Sequence, residues 1–148
     1  MDPAVKLAFY ASGVFFLAGL LTGVWKYLCM DASEKGEAPY YVNIAHRAAL
    51  LYAFAALLLM EFARYSAWVW WVDLLAVAFP LFYFAESIVI YMVHGLLRDT
   101  DNQLVKPHKL GSGEIQPRLI KGFMWSLVLA EIGGFLVLFA GVVRTLEG

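Results

Sequence analysis

The sequence predicts an all-α integral membrane protein built as a single four-helix bundle. Hydrophobic residues make up 62% of the 148-residue chain and charged residues only 16%, and the mean hydropathy is +0.70. A soluble domain is usually about half apolar and a quarter charged. Four apolar segments are each long enough to cross roughly 30 Å of hydrocarbon at about 1.5 Å per residue. Because backbone groups in lipid must be satisfied within each segment, these segments are predicted to be helices.

The predicted spans cover about residues 5–28, 44–64, 68–93 and 119–143 of one membrane domain. The first span is expected to be retained, because its apolar run is too long for a signal peptide and no small-x-small cleavage site follows it. Pro80 lies inside the third span, where it should remove a backbone hydrogen bond and bend the helix.

Small residues predict where the helices pack closely. The first span contains Gly19 and Gly23 in a small-xxx-small pattern, and the fourth contains Gly133, Gly134 and Gly141. Such patterns let two helix backbones approach each other. Packing within the chain is the expected use, and a contact between subunits is the alternative.

The cations predict how the bundle is oriented. Three of the 11 Lys and Arg residues lie on the side of the chain termini, and eight lie on the side of the two longer loops, residues 29–43 and 94–118. The positive-inside rule therefore places the longer loops in the cytoplasm and both termini outside, with the protein in an inner (cytoplasmic) membrane. The net charge of −1 and the lack of a basic cluster argue against a nucleic-acid partner.

Ionisable residues inside membrane spans are costly and are therefore candidates for function. They are His46, Glu61, Asp73, Glu86, His94 and Glu131. Glu61 and Asp73 are near the tight 64–68 link and are expected to reach the interface. Glu86 and Glu131 lie deeper. They are expected to be protonated and hydrogen-bonded to neighbouring helices or to each other, with a proton or ion path as the alternative.

A histidine and a polar helix face suggest a cofactor site. His46 stands at the start of the second predicted span, while Ser87, Tyr91 and His94 share one face of the third at comparable depth. No carboxylate cluster suits calcium or magnesium, and no HExxH motif suits zinc. An imidazole in an apolar, aromatic-rich setting suits haem, although a histidine reaching toward water at a helix end is the other interpretation. His108, in a polar loop, is expected at the surface.

The order and spacing of several motifs resemble the styrene oxide isomerase family of small four-helix membrane proteins. Ala45-His46 matches the Ala-His pair that opens the family's second helix, and Tyr91, 45 residues later, matches its functional tyrosine. Asn102-Gln103 and Gly111-Ser112-Gly113-Glu114 match an Asn-Gln pair and a Gly-x-Gly-acid turn before the fourth helix.

The resemblance implies a homotrimer with haem b at each subunit interface and His46 as the iron ligand. It also implies isomerisation of a small apolar epoxide to an aldehyde or ketone, with ferric iron acting as a Lewis acid. Tyr91 would donate a hydrogen bond to or near the epoxide oxygen. Ser87 takes the place of a family asparagine four residues before that tyrosine, within the cofactor pocket.

One position departs from the family in a way that affects the substrate. Six residues after its histidine the family has a substrate-positioning asparagine, and this chain has the bulkier Tyr52. Six residues along a helix turn a side chain by roughly 120°, so His46 and Tyr52 are expected to face different sides. A haem lodged between subunits would reconcile this, with one subunit supplying His46 and its neighbour supplying Tyr52.

Two other classes of function remain open from the sequence. In a non-catalytic haem protein, which would be a sensor, carrier or electron-transfer unit, His94 would be a second iron ligand or Tyr52 would control the sixth position. In a haem-free assembly subunit or small transporter, Glu86 and Glu131 would be the functional groups.

Overall fold

The computed structural model describes all of residues 1–148. Four long helices make up the body of the molecule, and a short hairpin lies in the last loop. The elements are α1 (Pro3–Asp31), α2 (Tyr40–Tyr65), α3 (Trp70–Leu97), β1 (His108–Leu110), β2 (Gly113–Ile115) and α4 (Pro117–Glu147). All four helices are long and apolar enough to span a membrane, as the sequence predicts.

The observed helices are longer than the predicted spans at seven of their eight ends. The largest differences are at the start of α2, which begins at Tyr40 rather than near residue 44, and at the ends of α3 and α4. His46 therefore lies in the second turn of α2 and not at its mouth. No strand was predicted from the sequence, whereas β1 and β2 form an antiparallel hairpin in which Leu110 pairs with Gly113. Gly111, in the turn between them, has φ +60, a conformation that glycine adopts without steric cost.

The helices pack in the order α1, α2, α3, α4, with α1 and α4 barely in contact. A stripe of alanines on α2 makes the closest packing possible: Ala45, Ala49, Ala53 and Ala56 are all at most 3% exposed. At their spacing they share one helix face, and their small side chains let α1 approach the α2 backbone. The α1–α2 pair is the most extensive helix contact in the chain.

Glycines of α4 make the corresponding contact with α3. A β-carbon on Gly134 would stand only 2.5 Å from the carbonyl oxygen of Ala76 and 2.7 Å from Cγ of Pro80. That carbonyl would normally bond to the N–H of residue 80, which proline lacks. The helix runs through Pro80 without a break, and the carbonyl freed by Pro80 faces the backbone of Gly134. The prediction that small residues serve packing within the chain is confirmed for Gly19, Gly23, Gly134 and Gly141, whereas a β-carbon on Gly133 would meet nothing within 4 Å.

Residues 66–68, which link α2 to α3, pack against the C-terminal part of α4. Nε1–H of Trp68 donates a 2.8 Å hydrogen bond to the carbonyl of Val137, and the guanidinium of Arg144 lies 5.4 Å from the Trp68 ring centroid. Gly141 leaves room for both Ser66 and Trp68. These contacts hold the start of α3 against the end of α4, at the end of the bundle away from His46.

Candidate functional site

His46 is half-buried between α2 and α1. Its Nδ1 lies 2.8 Å from the carbonyl oxygen of Gly19. A carbonyl can only accept, so Nδ1 carries the hydrogen in this bond. The neutral imidazole then has its lone pair on Nε2. His46 is therefore fixed by α1 and is not a histidine that simply reaches toward water from the end of a helix.

This hydrogen-bonded arrangement is the one found for histidines that bind metals. A ligating imidazole almost always donates its second N–H to a carbonyl, carboxylate or water, which sets the tautomer and the ring orientation. Gly23 provides the space for the ring, since a β-carbon at that position would lie 2.9 Å from Cε1 and 3.0 Å from Nδ1 of His46. The residues around His46 therefore fit an axial haem ligand that would bind iron through Nε2.

Tyr52 faces a different helix from His46, as the helical spacing predicts. Its ring stacks on Phe84 of α3, with centroids 4.4 Å apart and planes inclined by 11°, and its phenol lies beside the hydroxyl of Ser87. Tyr52 and Tyr91 both line a groove of about 310 Å³ on the outside of the bundle. His46 is not part of that groove, so one chain does not bring the predicted ligand and the two tyrosines together.

Ser87, Tyr91 and His94 share one face of α3, as predicted. All three line a second cavity of about 260 Å³ between α3, the hairpin and α4. Tyr91 lines this cavity as well as the outer groove. His46 lies outside it, so the expectation that His46 and the Ser87–Tyr91–His94 face form one site is not met within a single chain.

His94 is paired with Asp99, which was not predicted from the sequence. Its Nδ1 lies 2.8 Å from Oδ1 of Asp99, and the two side chains are 3% and 5% exposed. Oδ2 of the same carboxylate accepts the N–H of Gly111 at 2.6 Å. Burial acts to raise the pKa of Asp99, but these two hydrogen bonds outweigh it and hold the pKa below its usual range. A histidine near a helix end with an aspartate five residues later was the available signal.

The surface position expected for His108 is wrong. The residue is 5% exposed, and its Nδ1 lies 3.1 Å from the carbonyl oxygen of Gln103. It closes the loop side of the same cavity that His94 lines. The hairpin folds back over the end of α3 and carries His108 inward, a long-range effect that the polar loop sequence did not reveal.

Two of the acidic residues also differ from expectation. Asp73 is 4% exposed rather than at the interface, and its Oδ1 has no hydrogen-bond partner. Oε1 of Glu131 is buried without a partner too, so the predicted bond to a neighbouring helix is missing at that atom. Glu61 behaves as expected, forming an exposed 2.9 Å ion pair with Arg64 near the tight link.

The four helices are long and apolar enough to span a membrane, which is compatible with a multi-pass integral membrane protein. Comparison with protein-family models, with curated proteins and with solved structures found no match.

Proposed function

We propose that the chain is a haem-b-binding integral membrane protein of the styrene oxide isomerase type, which isomerises a small apolar epoxide to an aldehyde or ketone. One observation carries the proposal: the hydrogen bond from Nδ1 of His46 to the Gly19 carbonyl leaves Nε2 free for iron. The spacing from His46 to Tyr91 adds the resemblance to that family. The excess of cations in the two longer loops supports a cytoplasmic position for them.

The outer groove supplies other chemistry that haem needs. Ile44, Ala48 and Leu51 give it an apolar wall, and Arg47 lines its edge. A macrocycle prefers apolar walls, and a guanidinium pairs well with a propionate carboxylate. This groove and His46 lie on different sides of one chain. His46 of one subunit and the groove of its neighbour would therefore form the haem site together.

The residues beside the groove would then act on the epoxide. When bound, ferric haem would supply a Lewis acid for the epoxide oxygen. Tyr91 would donate its phenolic hydrogen to the same oxygen and stabilise charge developing there as the C–O bond opens. Migration of a hydrogen to the adjacent carbon then forms the carbonyl, with no external oxidant, reductant or water. The apolar wall favours this outcome because it keeps out the water that would hydrolyse the opened epoxide.

The reaction can be tested with styrene oxide as the probe. Protein loaded with haem in lipid nanodiscs should form phenylacetaldehyde, measured by gas chromatography, and Tyr91→Phe should slow it roughly 100-fold, as expected for loss of one positioned donor. His46→Ala should form none above the background. Haem-loaded protein that releases only the diol, or nothing, would reject the isomerase activity for this substrate.

Mixed trimers test whether the site lies between subunits. Co-assembling His46→Ala and Tyr91→Phe chains in equal amounts should restore activity, because a head-to-tail ring creates some interfaces with both native residues. Random mixing gives such an interface in about one quarter of cases, because the chain that supplies His46 must be a Tyr91→Phe chain and the chain that supplies Tyr91 must be a His46→Ala chain. A site contained in a single chain would restore nothing, and that result would exclude the shared site.

The position of Tyr52 favours a second candidate, a non-catalytic haem protein. Its phenol lines the outer groove, where it would compete with a substrate for the space beside the cofactor. In that case Tyr52 would coordinate or cover the sixth position of the iron. Tyr52→Asn separates the two functions: it should create or increase isomerase activity if Tyr52 blocks the substrate, and leave it unchanged if it does not.

A further inference from the structure

The cavity between α3, α4 and the hairpin is lined by two histidines that the proposed function does not use. Most of its wall is apolar, including Ile90, Leu119, Phe123 and Leu127. Two nearly buried histidines line its loop end and Tyr91 lies deeper. Its volume of about 260 Å³ is just below the range of about 300–1,000 Å³ that is typical of small-molecule sites, which limits the ligand to a small one.

Both histidines of this cavity use Nδ1 for a hydrogen bond within the chain. Nδ1 of His94 is engaged by the Asp99 carboxylate at 2.8 Å, and Nδ1 of His108 is engaged by the Gln103 carbonyl at 3.1 Å. Both partners are acceptors, so each Nδ1 carries a hydrogen, and in the neutral imidazole Nε2 carries the lone pair. The carboxylate behind His94 also makes its Nε2 the stronger acceptor of the two, as it does for metal-ligating histidines.

Glu86, Ser87, Gln103 and Lys109 also line the cavity, and the two Nε2 acceptors at its loop end favour a ligand that carries a hydrogen-bond donor. An apolar molecule that fills this cavity would cover both Nε2 atoms without giving them a hydrogen, so a molecule that donates to Nε2 is favoured. Epoxides, aldehydes and ketones only accept hydrogen bonds. The proposed substrate and product of the haem site therefore match Tyr91 but leave both imidazoles unpaired.

We propose that this cavity binds a small apolar alcohol or phenol whose hydroxyl donates to Nε2 of His94. The apolar wall of α3 and α4 encloses the hydrocarbon part. His108 offers a second acceptor to a ligand with two hydroxyls. The site is separate from His46 and does not depend on haem.

The test compares 4-fluorophenol with 4-fluoroanisole, which has a similar ring but no donor. Binding is followed by ¹⁹F NMR on the haem-free His46→Ala protein in nanodiscs, with empty nanodiscs correcting for partition into lipid. We expect saturable binding of the phenol at least 10-fold tighter than of the anisole. His94→Phe should remove that preference. Equal affinity of the two probes for the protein would overturn the proposal.

A cavity-filling variant keeps the test valid if His94→Phe disturbs the hairpin. Ile120→Trp fills the cavity from α4 and should weaken binding of 4-fluorophenol at least 10-fold. Leu136→Trp is the matched control, because Leu136 lies on the same helix and is 57% exposed. Binding that survives Ile120→Trp as well as it survives Leu136→Trp would place the phenol elsewhere and refute the assignment.

Discussion

Replacing Gly23 with alanine should weaken haem binding without removing the ligand. The new β-carbon would lie 2.9 Å from Cε1 and 3.0 Å from Nδ1 of His46, whereas carbon contacts are favourable at about 3.5–4.0 Å. The ring must therefore move by about 0.5–1 Å, by the same contact distances. Such a shift would lengthen the 2.8 Å bond to Gly19 beyond the range of about 2.7–3.2 Å for a good N–H···O bond.

The size of the effect follows from the role of that bond. Loss of an outer hydrogen-bond partner typically lowers the metal affinity of a histidine site by about 10–100-fold, and we expect haem affinity to fall within this range. The assay is titration of haem-free protein in nanodiscs with ferric haem, followed by the Soret absorbance. Tighter or unchanged binding would show that the contact with α1 does not position the ligand.

Gly13→Ala is the matched control for this experiment. Gly13 lies on the same helix, and a β-carbon there would meet nothing within 4 Å. Gly13→Ala changes the helix propensity of α1 by the same amount as Gly23→Ala, because alanine is favoured over glycine by about 0.8–1.0 kcal/mol. The Gly13→Ala protein should bind haem like the parent protein. Thermal melting of all three proteins separates a local effect on His46 from a loss of fold.

The remaining predictions concern packing and the hairpin. Gly134→Ala should destabilise the bundle by about 1–3 kcal/mol, the usual cost of overpacking, because its β-carbon would meet the Ala76 carbonyl at 2.5 Å. Gly133→Ala is the control and should not destabilise the bundle, because its β-carbon would meet nothing within 4 Å. Equal SDS-denaturation midpoints for the two variants would contradict the packing described for α4. Asp99 has a lowered pKa, so its contribution to holding the hairpin is present above the ordinary value of about 4 and is lost as the pH falls through the lower folded value. The protection of amides 99–116 against exchange should therefore fall as the pH drops below about 4. It should already be low in Asp99→Asn, and strong protection in Asp99→Asn would contradict this role.

The sequence predicted the parts of the fold that depend on local patterns. Apolar length predicted the four helices. The small-xxx-small spacing of Gly19 and Gly23 predicted a close helix contact within the chain, and the structure shows that the partner is α2. Tyr52 and His46 were placed on different helix sides by their separation alone. These features follow from helix periodicity, which a single sequence carries directly.

The parts that were missed depend on contacts between distant residues. The hairpin folds over α3, which buries His108 and brings the N–H of Gly111 to Asp99. Asp73, expected at the interface, is instead buried near Ser66. No local pattern encodes such contacts, because polar loop residues look alike in sequence whether they face water or close a cavity.

The most direct test of the central claim is the optical spectrum of the purified protein after haem supplementation. We expect a Soret band from one haem per chain, which disappears in His46→Ala and persists in His94→Ala, since His46 is the proposed iron ligand and is held by its hydrogen bond to α1. A band that survives His46→Ala, or protein that stays colourless when haem is supplied in excess, would contradict it.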